Sequence, residues 1–259
     1  NAAPTAEGLF LNAVGGPGDD TLIGNAMGNI LDGLAGADIM VGSFGDDIFV
    51  VDNSGDIVAD EPDGGIEQVN SSVSFTLFSH LENLTLLGSD DIDAIGNELD
   101  NILIGNAGNN TLDGLAGADT MVGNAGDDIF VVDNVGDTVS DLASGGGTDQ
   151  VNSSVSFALV ANIENLSLLG SDNINAIGNS LANVLIGNAG NNTLDGLGGA
   201  DTMVGNGGDD IYVVDNAGDI VSESPGGGTD QVNSSVSFVL FANIENLSLL
   251  GAGNINATG

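Results

Sequence analysis

A period of nine residues constrains this chain more than any other feature. GGPGDDTLI (15–23), GNAMGNILD (24–32), GLAGADIMV (33–41), GSFGDDIFV (42–50) and the degenerate VDNSGDIVA (51–59) follow one another without a gap, and five such units recur at 96–140 and 178–222. In each unit the first six residues are mainly Gly, Asn and Asp, which accept the positive φ of a tight turn; the last three carry an apolar residue in the middle. Each unit therefore reads as a turn followed by a very short strand. Leu22, Leu31, Met40, Phe49 and Val58 all fall at the eighth position, so two units per coil stack these side chains into two facing apolar ladders. A single coil cannot bury its own apolar face, and stacked neighbours are required.

A longer repeat contains the short one. GNILDGLAGADIMVGSFGDDIFVVDN at 28–53 returns, with few changes, ending at Asn134 and again at Asn216, a spacing of 81 or 82 residues. Between the nonapeptide blocks lies a different stretch, such as 147–179, where Val151, Ser153, Val155, Phe157 and Leu159, then Leu166 and Leu168, alternate with a period of two. That alternation predicts strands longer than those of the nonapeptides, and no segment has an apolar period near 3.6. The expected organisation is one continuous solenoid: residues 1–14 as an N-terminal extension, then modules at 15–95, 96–177 and 178–259.

The chemistry is set by charge. The chain carries 38 acidic side chains, no Lys, no Arg, one His and no Cys, for a formal charge of −38. An external cation must offset it. The 41% hydrophobic content and the regularly placed glycines separate it from a solvated acidic tail. Without Lys or Arg it cannot grip a phosphate backbone, so nucleic acid and anionic membranes are excluded as partners, and no apolar run is long enough to span a bilayer. An enzyme acting on acidic polysaccharide, or a nuclease, needs basic residues the chain lacks, and one unrepeated His leaves nucleophilic triads incomplete. The expectation is a protein without enzymatic activity.

Asp or Asn stands at the sixth position of every unit: Asp20, Asn29, Asp38, Asp47 and Asp56, then Asn101, Asn110, Asp119, Asp128 and Asp137, then Asn183, Asn192, Asp201, Asp210 and Asp219. Residues 18 apart share one edge in adjacent coils. Side-chain oxygens there, together with carbonyls of the Gly-rich turns, compose the oxygen-only shell that Ca²⁺ prefers. The Asp/Asp pairs are Asp20 with Asp38, Asp38 with Asp56, Asp119 with Asp137, and Asp201 with Asp219. Asn29 with Asp47, Asn101 with Asp119, Asn110 with Asp128, Asn183 with Asp201, and Asn192 with Asp210 complete about nine candidate Ca²⁺ sites. For the Asn-containing pairs a metal-free Asx arrangement competes with a metal site. Met27 replaces a turn glycine, and GNELDNILI (96–104), GNSLANVLI (178–186) and VDNSGDIVA also lack Gly at turn positions.

These blocks resemble RTX, or haemolysin-type, calcium-binding repeats. The resemblance implies an all-β fold, a right-handed parallel β-roll or β-solenoid here built from three modules of about 81 residues. It further implies Ca²⁺ between successive turns, bacterial type I secretion, and folding on meeting extracellular calcium. The expected location is secreted, extracellular or at the cell surface. Alternatives are the stalk of a large RTX adhesin and the calcium-binding C-terminal module of a secreted enzyme.

Other residues have plainer roles. His80 is replaced by Asn162 and Asn243 in the other copies, which fits a turn residue. Glu82, Glu164 and Glu245 recur in an LENL/IENL element and read as turn or interstrand residues. Phe49, Phe130 and Tyr212 suit the core, so no aromatic face is available for a sugar, although contact with a cell surface or polysaccharide stays open. Leu11–Gly15, Ile174–Gly178 and Ile255–Gly259 are equivalent, which leads to the expectation of head-to-tail self-association, with Leu9-Phe10-Leu11 as an added strand on the neighbour.

Overall fold

The structure, a computed structural model, describes residues 12–142, 146–251 and 253–259. The expected strand at Leu9-Phe10-Leu11 lies outside them. Among the described residues there are only strands and turns, and the chain divides into two compact units, Asn1–Thr120 and Met121–Gly259.

In the first unit, Ala13–Val14, Ile30–Asp32, Ile48–Val51, Gln68–Ser71, Asn83–Leu86 and Ile102–Ile104 lie side by side in one sheet. The strands between them in sequence form the opposite face: Thr21–Ile23, Ile39–Val41 and Ile57–Ala59 pair together, as do Phe75–Thr76, Ala94–Asn97 and Thr111–Leu115. The pairings are parallel, with Leu22 against Met40 and Met40 against Val58 on one face, and Leu31 against Phe49 on the other. The two apolar ladders expected from the eighth positions are therefore present, and Leu31, Met40 and Phe49 are fully buried. This is a parallel β-solenoid whose core is a seam one side chain deep on each face.

The second unit repeats the plan. Ile129–Val132, Gln150–Ser153, Asn165–Leu168, Val184–Ile186, Thr202–Val204 and Ile220–Ser222 form one sheet. Phe157–Ala158, Ala176–Ile177, Thr193–Asp195, Ile211–Val214, Gln231–Ser234 and Asn246–Leu249 form the other. Equivalent segments swap faces within a unit: IFVV at Ile129–Val132 and IYVV at Ile211–Val214 are in different sheets. Eight strands lie between them, and because successive strands alternate faces an even number produces the swap, so this long repeat of nine strands advances the solenoid by whole coils plus a half.

The linking stretches continue the coil. Val69, Val151 and Val232 point inward with Ser71, Ser153 and Ser234, which are also buried. Each of these serines donates its hydroxyl to the carbonyl two residues on and accepts that residue's amide, a closed local arrangement that lets a polar side chain turn a corner inside.

Candidate metal centre

All fifteen sixth-position residues sit at the edges between the sheets, and all except the half-buried Asp20 are buried. Seven of the nine expected pairs meet within a unit, but through the backbone. The Oδ1 of the later residue accepts the amide of the earlier: Asp20 to Asp38 at 2.7 Å, Asn29 to Asp47 at 2.6 Å, Asp38 to Asp56 at 3.0 Å and Asn101 to Asp119 at 2.7 Å. Asn183 to Asp201 at 2.8 Å, Asn192 to Asp210 at 2.7 Å and Asp201 to Asp219 at 3.1 Å follow the same rule. Asn110 and Asp119 belong to the first unit, Asp128 and Asp137 to the second.

What the other side-chain atom does depends on the turn. In one kind, the amide of the second residue donates to the sixth-position side chain: Gly16 to Asp20, Asn25 to Asn29, Asn97 to Asn101, Asn106 to Asn110, Asn179 to Asn183 and Asn188 to Asn192. The Asn101 and Asn183 Nδ2 groups each donate to two backbone carbonyls, and those of Asn110 and Asn192 to one carbonyl and a neighbouring Asn Oδ1. These four asparagines have the hydrogen bonds of an Asx arrangement. In the degenerate units, Asp56, Asp137 and Asp219 each accept two turn amides at Oδ2.

In the remaining kind the second residue is left-handed: Leu34 (φ 60°), Ser43 (90°), Leu115 (61°), Asn124 (77°), Leu197 (57°) and Asn206 (73°). Leucine pays about 1–2 kcal/mol for that conformation, and it does so at the same place in three copies. The rotated amides of Leu34, Leu115 and Leu197 are taken by Asp32, Asp113 and Asp195, at 3.0 Å in each case. In these left-handed turns the Oδ2 atoms of Asp38, Asp47, Asp201 and Asp210 are buried with no hydrogen-bond donor among the described residues. Each lies where a Cβ would stand on the first glycine of its turn, Gly33, Gly42, Gly196 or Gly205, so that glycine is required by the carboxylate.

Electrostatics point the same way. Burial, followed by neighbouring carboxylates, raises Asp47 and pushes Asp201 to about 6 and Asp210 to about 7. A carboxylate that is buried and surrounded by its own charge lacks a cation, and the chain contains no Lys or Arg to supply one. Oxygen-only donors in Gly-rich turns fit Ca²⁺.

The acidic ladder is longer than the nonapeptides suggest. In the first unit it runs Asn29, Asp47, Glu67, Glu82, Asn101, Asp119; in the second, one edge carries Asp128, Asp149, Glu164, Asn183, Asp201, Asp219 and the other Asn192, Asp210, Asp230, Glu245. Glu82, Glu164 and Glu245 accept the amides of Glu67, Asp149 and Asp230, each at 2.9 Å, which is an interstrand role. Sequence reading passed over Asp149, Asp230 and Glu67 because they stand 20 or 21 residues, not 18, after their ladder neighbours. Their signal is the GTDQVNSS/GIEQVNSS segment, whose acid aligns with the sixth position once the strands are paired. His80 takes a left-handed turn conformation (φ 71°), as do Asn162 and Asn243.

The arrangement defines a class: a parallel β-solenoid with acidic edge turns suited to divalent cations. The family model of the RTX calcium-binding nonapeptide repeat (4 copies) matches residues 14–49, 95–130 and 177–212, and the chain carries these repeats in all three of its long copies. No curated protein matches the chain.

Proposed function

We propose that the chain is a secreted, extracellular structural rod whose folding is driven by Ca²⁺, without catalytic activity of its own. The observation that carries this reading is the set of buried Oδ2 atoms without donors on Asp38, Asp47, Asp201 and Asp210, in a chain with no Lys or Arg. Calcium that binds these oxygens only in the folded state adds its binding free energy to folding. In a calcium-poor cytoplasm the chain stays open for export, and it closes outside. The sixth-position residues form the metal set in this proposal, with the donor-less aspartates as its strongest members and with Asn101, Asn110, Asn183 and Asn192 set apart as metal-free Asx turns. Head-to-tail self-association into a filament, matrix or surface layer belongs to the same proposal. Its support is the long repeat, which returns equivalent strands and turns at 81 or 82 residues and so permits stacking in a common register.

Circular dichroism tests the calcium step: a largely disordered spectrum in chelator should gain β signal on addition of millimolar Ca²⁺. A β spectrum unchanged by thorough chelation refutes it. Electron microscopy in calcium tests assembly, with filaments expected and dispersed monomers at high concentration contradicting it.

A further inference from the structure

Each long repeat places a second acidic residue type beside the ladder, outside the nonapeptide pattern. In the last copy it is Glu223, in the first Asp60 and in the middle Asp141. Carboxylate oxygens of Asp210, Glu223 and Asp230 all lie within 4.8 Å of one another. Asp210 and Asp230 are 1% and 0% exposed; each uses Oδ1 to accept a backbone amide, from Asn192 and Asp210 respectively, and each leaves a buried Oδ2 without a donor. Glu223 is held from both sides, accepting the Ser224 amide at Oε1 and the Tyr212 hydroxyl at Oε2.

The oxygens converge on one point. A Cβ on Gly205 would meet Asp210 Oδ2, Glu223 Oε2 and the Tyr212 hydroxyl together, and one on Gly227 would meet Glu223 Oε1 and the Asn206 carbonyl. The first copy has the same convergence: Gly42 faces Asp47 Oδ2 and Asp60 Oδ1, beside the buried Glu67 with its donor-less Oε1. In the middle copy Gly123 faces oxygens of both Asp128 and Asp141.

We propose that Asp210, Glu223 and Asp230 hold one divalent cation of their own, and that Asp47–Asp60–Glu67 and Asp128–Asp141–Asp149 form the equivalent sites of the other copies. The distances suit it, because ligand oxygens about 2.4 Å from a Ca²⁺ ion are at most about 4.8 Å apart. Ca²⁺ fits better than Mg²⁺, which dehydrates reluctantly, whereas these oxygens are buried. The site differs from those of the nonapeptide turns because two of its three carboxylates, Glu223 and Asp230, come from the stretch that links the strands Ile220–Ser222 and Gln231–Ser234. The identity of the ion rests on the calcium reading above; the existence of the site rests on the triad geometry alone.

Tyr212 makes the site separately observable, since it is the only tyrosine and the chain has no tryptophan. Terbium added to the full chain and excited in the tyrosine band should give sensitised luminescence that calcium displaces. Glu223→Gln and Asp230→Asn should each weaken terbium binding about tenfold or more. Glu223→Asp, which copies Asp60 and Asp141, should retain it, as should the charge-matched Glu98→Gln at an exposed position. Absence of the signal from the wild-type chain overturns the site, as does an undiminished signal in whichever of the two charge-removing variants folds in calcium. If calcium induces β structure and the terbium result is negative, this inference fails and the calcium-dependent fold stands; the opposite pair of results removes the folding proposal and keeps the site.

Discussion

Replacing Asp201 by Asn should have opposite effects with and without calcium. Asp201 is 1% exposed; its Oδ1 accepts the Asn183 amide, and its Oδ2 is buried against Gly196 without a donor. Asn keeps the first bond and replaces the lone charged oxygen with a neutral donor group, as Asn183 does one coil earlier. Removing one unsatisfied buried group is worth about 1–3 kcal/mol, a factor of about 5–150 in the folding equilibrium of the calcium-free chain. In calcium the same change removes a charged ligand, and the calcium midpoint of folding should rise about 10- to 100-fold. Two titrations followed by circular dichroism read both effects: trimethylamine N-oxide in chelator, where excluded osmolyte drives compaction, and Ca²⁺ without osmolyte. The variant should fold at lower osmolyte and higher calcium than the wild type. A shift toward instability in both titrations refutes the reasoning, because it makes Asp201 an ordinary hydrogen-bonded core residue.

Two further outcomes follow from the same structure. Burial raises Asp60 to about 6, Asp149 and Asp210 to about 7 and Glu67 to about 9, so the calcium-free folded state holds protons the unfolded chain has released. That stability is full below the ordinary carboxylate values and disappears as pH rises through the raised ones, so acidifying the calcium-free chain from about pH 8 to about pH 5 should increase its β signal, while a fall in that signal contradicts the assignment. Leu197→Gly relieves the left-handed strain (φ 57°) and should stabilise the calcium-loaded protein against denaturant by about 1 kcal/mol; an equal destabilisation shows that the leucine side chain outweighs the strain.

The nonapeptide period exposed most of the fold because turn and strand chemistry are both local: Leu31, Met40 and Phe49 could be placed in two ladders before any pairing was known. The ladder residues of the linking strands were less legible. Asp149, Asp230 and Glu67 enter the edge only through strand pairing across a longer, unequal spacing, and a fixed count of 18 misses them. The difference between the amide-bonded and the left-handed turns was also hidden. In the leucine turns the second-position amide is turned from the carboxylate and captured by Asp32, Asp113 or Asp195, and those aspartates stand in the strand portion of the preceding unit. Asp47 shows the effect on the site: sequence spacing gives it Asn29 alone, whereas the fold adds Asp60 and Glu67.

The most direct test is diffraction from crystals of the full chain grown in calcium, with anomalous differences used to locate the ions. Peaks are predicted beside the Oδ2 atoms of Asp38, Asp47, Asp201 and Asp210, next to the first glycines of their turns, and not beside the amide-bonded Asn101 and Asn183. Ions at the asparagine turns, with none at those four aspartates, would contradict the account.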